Sequence, residues 1–102
     1  MKQPIRVEFS KVGFRDLLAM TRDWQEHHPA RPNACEDEFT AAIELLTQFP
    51  EGAPIATLRR HKGARLKVLV GTGHLLLYRY TKKTKVILVL AIGASRATAQ
   101  RP

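Results

Sequence analysis

The strongest constraint on the fold of this chain is a change of hydrophobic period around Pro50. Before it, the apolar residues at positions 39, 42, 43, 46 and 49 recur at helical spacing and predict an amphipathic helix that ends at residues 50–52. After it, apolar residues alternate or run continuously and are often β-branched, which is typical of strands. The two halves of the chain therefore differ in secondary structure.

The first half contains a strand and a second helix. Residues 5–9 alternate apolar with charged side chains and predict a short half-buried strand. Ser10 offers a cap to a helix that we expect to end near His28, because the residue that precedes a proline disfavours helical geometry. Residues 29–33 predict a turn, with Asn33 as the cap of the second helix. The acids at positions 36–38 then suit the positive end of that helix dipole.

The second half predicts three strands. They cover residues 64–70, 74–80 and 85–92, with turns at 71–73 and 81–84 and a further short strand possible at 55–58. The last strand is apolar almost throughout, so we expect it to be covered on both faces. The predicted fold is α+β, in which an N-terminal strand and a two-helix hairpin precede three antiparallel strands of a curved sheet. Residues 1–102 form one domain, and we expect the sheet face away from the helices to carry much of the positive charge.

The charge distribution is the main functional signal. Residues 1–51 hold all 9 acidic residues and 6 of the basic ones, a net charge of −3. Residues 52–102 hold 11 lysines and arginines and no acid, so the whole chain carries +8. Such a field attracts polyanions, meaning nucleic acid, the ribosome or an acidic protein. A basic surface that confers only solubility is the alternative.

Several other classes are disfavoured. No apolar run approaches the ~20 residues that span a bilayer, and the opening residues do not resemble a signal peptide, so we expect a cytoplasmic protein without a membrane partner. The only cysteine, Cys35, is expected to be a packed thiol, because three acids follow it and oppose its ionisation. The four histidines lack metal-ligand spacing, and no phosphate-binding motif is present, so neither a metal nor a cofactor is expected.

Metal-free RNA cleavage needs a base, an acid and cations around the phosphate. The chain contains residues of the types that this chemistry needs, but their spacing does not indicate a catalytic set. The candidates are His61, Lys62, Arg65, His74 and Arg96. Tyr78 and Tyr80 could stack on a base, but they share one face of a strand and Arg79 takes the other, so packing is the better interpretation.

Three segments together resemble the RelE/ParE superfamily, the toxins of bacterial type II toxin–antitoxin modules. They are Gly63-Ala64-Arg65-Leu66-Lys67-Val68, then Gly73-His74-Leu75-Leu76-Leu77-Tyr78-Arg79-Tyr80, then Val86 to Ile92 with Arg96 beyond it. The resemblance covers nearly the whole chain and includes the order of elements, but its motifs are diffuse. It implies a cognate antitoxin as partner, usually with an acidic helix-rich tail that would suit the positive residues 52–102.

The superfamily implies two activities. RelE-like members cleave mRNA on the ribosome, and ParE-like members poison DNA gyrase without a hydrolytic centre. RelE-type enzymes carry two lysines on the first hairpin strand, where this chain has Leu66 and Val68. They carry an arginine early on the next strand, where it has Leu75, and a late tyrosine or histidine that residues 97–102 lack.

The resemblance is therefore closer to the ParE-like branch. It predicts growth inhibition by binding to DNA gyrase through Arg65, Lys67, Arg79 and Arg96. A ribosome-dependent mRNA endonuclease and a non-toxic binding module remain the alternatives.

Overall fold

A computed structural model describes residues 4–93 of the chain. It has the predicted order of elements: a strand, two helices and three strands. These are β1 (Arg6–Phe9), α1 (Lys11–His27), α2 (Ala34–Gln48), β2 (Arg65–Leu69), β3 (His74–Thr81) and β4 (Val86–Gly93).

The four strands form one mixed sheet in the order β1-β4-β3-β2. The three C-terminal strands are antiparallel to one another, whereas β1 pairs in parallel with β4, from Arg6 opposite Val86 to Phe9 opposite Val89. Both helices pack on one face of this sheet, and the predicted α+β fold is confirmed. We call the opposite face the open face.

The main core lies between the helices and the sheet. Met20 from α1 and Phe39 from α2 pack there with Tyr78 and Val89 of the central strands. The side chain of Tyr78 is fully buried, and its hydroxyl donates to the carbonyl of Pro50 at 2.8 Å. The expectation that Tyr78 and Tyr80 pack is thus confirmed.

The strand β4 contributes to two apolar clusters, as its composition predicts. Ile87 and Val89 face the helices, whereas Leu90 packs on the open face with Ala64 and Leu77. The pairing with β3 shifts register at this point, and Leu90 is the extra residue.

The start of α1 is held at the register shift in β4. The Ser10 hydroxyl accepts from the N–H of Gly13 at 2.9 Å, as a helix cap does, and donates to the carbonyl of Leu90 at 3.1 Å. A Cβ atom on Gly13 would lie 2.3 Å from the carbonyl oxygen of Val89. Glycine at position 13 therefore allows a close approach of helix to sheet.

Two local predictions need correction. Asn33 is the N-cap residue of α2, as predicted, but its side chain makes no capping hydrogen bond. Residues 55–58 form no strand, and only Ile55 makes an isolated bridge, to Arg65. The segment stays irregular although the carbonyl of Pro54 accepts from the N–H of Leu66 at 3.0 Å.

The prediction that the open face carries much of the positive charge holds only in part, because most of that face is apolar. By strand alternation this face carries Leu66 and Val68 from β2 and Leu75 and Leu77 from β3. Arg79 of β3 lies on this face, and other cations lie around it, in the loop before β2 and in the turn between β3 and β4.

None of the helices within residues 4–93 combines the length and the apolar character that crossing a membrane requires.

Candidate target-binding surface

A cationic surface forms where the loop of residues 53–63 meets β3. The guanidinium of Arg79 donates to the carbonyl of Lys62 at 3.2 Å, which brings the basic end of the loop beside this strand. Two backbone hydrogen bonds fix the other end of the loop to β2: Ala56 N–H to the Ala64 carbonyl and Leu66 N–H to the Pro54 carbonyl. We call the resulting group the basic patch. It consists of Arg59, Arg60, His61, Lys62 and Arg79.

No acid of residues 4–93 lies within ion-pair distance of the cations of the basic patch. Glu51 is the nearest acid along the chain, and its carboxylate faces Arg65 at 3.6 Å and Lys82 at 3.6 Å instead. The positive charge of the patch can therefore attract an external anion, and this attraction weakens as the salt concentration rises.

Arg65 is not part of this patch. Its guanidinium donates to the carbonyl of Ala53 at 2.7 Å and to that of Glu51 at 3.1 Å. Its side chain is only 19% exposed. Arg65 is both a catalytic and a target-binding candidate by sequence, but these contacts tie it to the turn after α2.

Lys67 also lies on the helix side of the sheet. It lines two shallow grooves between α2 and the edge of β2, where Leu45 is its neighbour in both. It is therefore separated from Arg79, which points to the open face. Arg96 lies outside the described residues.

His74 begins β3 and faces the helices. Its Nδ1 lies 2.8 Å from the hydroxyl of Thr72, which in turn donates to Glu38 at 2.7 Å. Because that hydroxyl has a single proton and gives it to Glu38, it must accept from Nδ1–H of His74. Burial lowers the pKa of His74, and the charges of Glu38 and Asp23 only partly offset this effect.

A cleft of about 440 Å³ opens beside His74, between α1 and the end of β4. Asp16, Asp23 and Glu26 line it, so it is acidic. The basic patch and this cleft are far apart, since Arg79 follows His74 by five residues, roughly 17 Å along a strand, and points to the other face.

The structure thus divides the predicted catalytic residues into three places. His61 and Lys62 lie with Arg79, Arg65 lies at the turn after α2, and His74 lies in the acidic cleft. Of the predicted catalytic residues that the structure describes, only His61 and Lys62 are neighbours.

Cys35 is a packed thiol, as predicted. It is 1% exposed in the first turn of α2, and burial raises its pKa, with Glu38 and Glu36 adding to the rise. It is therefore a thiol rather than a thiolate at neutral pH.

Comparison with known proteins gives structural matches only. No protein-family model matches the sequence, and a search of curated proteins finds no relative. Among solved structures, a chain of the chromosomal ParDE toxin–antitoxin system from P. aeruginosa superposes with a TM-score of 0.71. The two are 17% identical, and the match covers 90% of this chain and 97% of that one.

Two further structures match over similar lengths. A chain of the RelBE2 toxin–antitoxin complex from Mycobacterium tuberculosis has a TM-score of 0.58 and 23% identity, covering 90% of this chain and 99% of that one. A chain of the E. coli DinJ-YafQ complex has a TM-score of 0.64 and 16% identity, covering 97% and 100%. This chain has the RelE/ParE fold.

On the RelE/ParE fold, the positions that distinguish the two branches can now be placed. Leu66, Val68 and Leu75 all lie on the open face, and Val68 pairs directly with Leu75. The three positions that the sequence resemblance compares with RelE-type cations therefore form an apolar surface in this chain. Sequence reasoning identified these substitutions, but the pairing that brings them together required the structure.

Proposed function

We propose that this chain is the toxin of a type II toxin–antitoxin module and arrests growth by binding DNA gyrase. The fold supports the toxin role, because structures of ParDE, RelBE2 and DinJ-YafQ toxin–antitoxin systems match over at least 90% of the chain. The basic patch supplies a surface for a target that presents acidic groups. A cognate antitoxin, encoded beside the chain, would neutralise it.

Binding rather than cleavage is favoured by one observation. The open face of β2 and β3 carries leucine and valine at the places where a RelE-like nuclease would need cations. A phosphorane-like transition state requires positioned donors, and apolar side chains cannot provide them. The cations of the basic patch lie beside this face and suit attraction and docking.

The test is pulse labelling of DNA and protein synthesis after brief induced expression in a bacterium. We expect DNA synthesis to fail first, and purified protein to inhibit gyrase supercoiling. The double variant Lys62→Gln/Arg79→Gln should lose most of this inhibition. Lys83→Gln removes one exposed charge from the β3–β4 turn and serves as the control that should retain it.

A ribosome-dependent mRNA endonuclease is the second candidate. It is favoured by the contact of the Arg79 guanidinium with the Lys62 carbonyl, which brings the loop segment that carries His61 and Lys62 beside a cation of β3. In that case protein synthesis would fail first, mRNA would be cut on translating ribosomes, and His61→Gln would abolish cutting. If neither synthesis changes, the chain is a binding module without toxicity.

A further inference from the structure

The outer edge of β2, on the side away from β3, is covered over only part of its length. At the covered part, the N–H of Leu66 points outward and donates to the carbonyl of Pro54 at 3.0 Å. Backbone groups of alternate residues point to the same side of a strand, so the N–H and carbonyl of Val68 also point outward. No backbone group within residues 4–93 pairs with them. We call residues 68–70 the free edge.

Exposed apolar side chains lie on both sides of the free edge. Val68 is 50% exposed, and Val70, which follows the strand, is 85% exposed. On the helix side, Leu45 and Phe49 of α2 are 44% and 59% exposed and line the grooves along β2. Unpaired strand groups between exposed apolar side chains form a template for another strand.

Two opposite charges near the free edge lack a partner of opposite sign. Lys67 and Glu38 line the same groove between α2 and β2, but neither forms an ion pair with any residue of the described chain. The carboxylate of Glu38 accepts only from the uncharged donors of Gly71 and Thr72. A partner that satisfies both charges must present one acid and one base, and a second copy of this edge does so by symmetry.

We propose that two copies of this chain associate through their free edges as a symmetric dimer. The two β2 strands would pair antiparallel about a two-fold axis perpendicular to the sheet. Such a pair uses backbone groups that are otherwise unpaired and removes the exposed apolar side chains from water.

The covered part of the edge determines the register of this pair. A second strand cannot lie beside Leu66, so the axis passes through Leu69, and Val68 of one copy lies opposite Val70 of the other. The N–H of Val70 points outward, because the carbonyl of Leu69 in the same peptide unit accepts from the N–H of Gly73 on the β3 side at 2.7 Å. This N–H then donates to the Val68 carbonyl of the other copy, twice by symmetry.

The same register pairs the unmatched charges. Lys67 of one copy lies opposite Gly71 of the other, and Glu38 binds the N–H of that glycine. Each Lys67 therefore lies beside the Glu38 of the other copy. These two contacts offset part of the repulsion between two copies that each carry a net charge of +8.

Pairing at the free edge joins two four-stranded sheets into one continuous sheet. Because the axis is perpendicular to the sheet, the helices of both copies lie on one face and both basic patches lie on the other. The dimer therefore presents two basic patches to one target. The association itself does not depend on the proposed toxin function.

Sedimentation equilibrium of the full chain tests the association, in about 0.3 M salt to screen the repulsion between copies. We expect a mass that rises with concentration towards 23 kDa, twice the 11.5 kDa of one chain. Val68→Lys/Val70→Lys places like charges along both strands of the pair and should raise the Kd of the dimer by about tenfold or more. Circular dichroism verifies that the variant is folded.

Matched variants test the location. Val12→Lys/Leu18→Lys adds the same charge to α1, at side chains that are 44% and 54% exposed, and should leave the Kd unchanged. Lys67→Glu brings two acids together at each proposed charge pair and should weaken the dimer, whereas Lys67→Arg should retain it. Equal weakening by the lysine variants of the two surfaces would overturn the proposal.

A disulfide cross-link tests the register. A mixture of Val68→Cys and Val70→Cys, oxidised with glutathione disulfide, should cross-link between the two variants more than either variant cross-links alone. The reason is that opposed residues of a hydrogen-bonded antiparallel pair have Cα atoms about 5.5 Å apart, which a disulfide can bridge. The wild type, whose Cys35 is buried, should not cross-link.

Two results would contradict the dimer. A chain that stays monomeric at all concentrations would leave the free edge for a strand of a different protein, and the proposal would be wrong. Particles that grow beyond two copies would exclude the closed two-fold arrangement. Growth arrest by a monomeric chain would keep the toxin function while refuting the dimer, and a dimer without growth arrest would do the reverse.

Discussion

Glu38 of α2 holds Thr72 in the turn between β2 and β3. Its Oε1 accepts from the N–H of Thr72 at 2.9 Å and from its hydroxyl at 2.7 Å, and Oε2 accepts from the N–H of Gly71. One carboxylate thus satisfies three donors of a turn that is 33 residues further along the chain. Thr72 of the same turn also contacts Nδ1 of His74, which begins β3.

Replacing Glu38 with glutamine should therefore destabilise the fold. Glutamine keeps one acceptor oxygen but replaces the other with an NH₂ group. This donor would face a donor of the turn, either a backbone N–H or the Thr72 hydroxyl. We therefore expect a loss of about 1–2 kcal/mol in the free energy of unfolding at pH 7. Urea unfolding measures this loss. Glu44→Gln changes an exposed acid on the same helix and should be nearly neutral.

The loss should depend on pH. Burial alone would raise the pKa of Glu38, but the hydrogen bonds from Thr72 and Gly71 outweigh it and lower the pKa below its usual value. A lowered folded-state pKa gives stability that is present above the unfolded value of about 4.3 and disappears as pH falls through the folded value. The difference between the wild type and Glu38→Gln should accordingly shrink below about pH 4. A difference that stays constant with pH would contradict this role for the charge.

Glu38 also illustrates what sequence reasoning could and could not predict. The helical period around it was readable, and its acidity suited the helix N-terminus, since both are local properties. Its contact with Thr72 spans 34 residues, and no local pattern encodes it. The same limit applies to Arg65. Its charge suggests a contact with a target, but in the folded chain its guanidinium donates to two backbone carbonyls.

The elements themselves were more predictable than the site. Period-two and period-3.6 patterns gave all six elements, and Ser10 capped α1 as expected. Asn33 has the same capping propensity but makes no such bond, because propensity does not fix the local backbone. The division of the basic residues between the two sheet faces depends on register, which the sequence does not reveal.

Gly13→Ala should destabilise the protein although alanine is the better helix former by about 1 kcal/mol. The new methyl group would meet the carbonyl oxygen of Val89 at 2.3 Å, and α1 would have to move away from β4. We expect a net loss of about 1–3 kcal/mol, typical of overpacking. The melting temperature should fall by roughly 4–8 °C for each kcal/mol.

Gly93→Ala is the matched control, since a Cβ there meets nothing within 4 Å. Its melting temperature should stay near that of the wild type. A Gly13→Ala variant as stable as wild type would show that α1 shifts without loss, and that the close approach is not required.

Arg65 and Arg79 should separate stability from target binding. Arg65→Ala removes two hydrogen bonds to carbonyls and an ion pair with Glu51, so we expect a loss of about 1–3 kcal/mol in unfolding free energy. Arg79→Ala removes one exposed hydrogen bond and should change stability by less than about 0.5 kcal/mol. The order should be opposite for growth inhibition. When the two variants are expressed to equal soluble levels, Arg79→Ala should inhibit growth less than Arg65→Ala. The assignment fails if Arg65→Ala abolishes toxicity without a change in stability.

His27 and His74 should titrate in opposite directions from the ordinary histidine value of about 6.5. The hydrogen bond of His27 to the Asp23 carbonyl, followed by the charge of the Asp23 carboxylate, raises its pKa. Burial lowers the pKa of His74 although Glu38 and Asp23 face it. Protonation of His74 therefore favours the unfolded state, and the contribution of His74 to stability is lost as pH falls from about 6.5 towards the pKa of the folded state.

Carbon-detected or proton NMR titration should place the midpoint of His74 below 6.5 and that of His27 above it, and His74→Gln assigns the first signal. Asp23→Asn should lower the midpoint of His27 and also that of His74, because one carboxylate acts on both rings. A midpoint of His74 above 6.5 would mean that the charges of Glu38 and Asp23 outweigh burial, which would contradict this prediction.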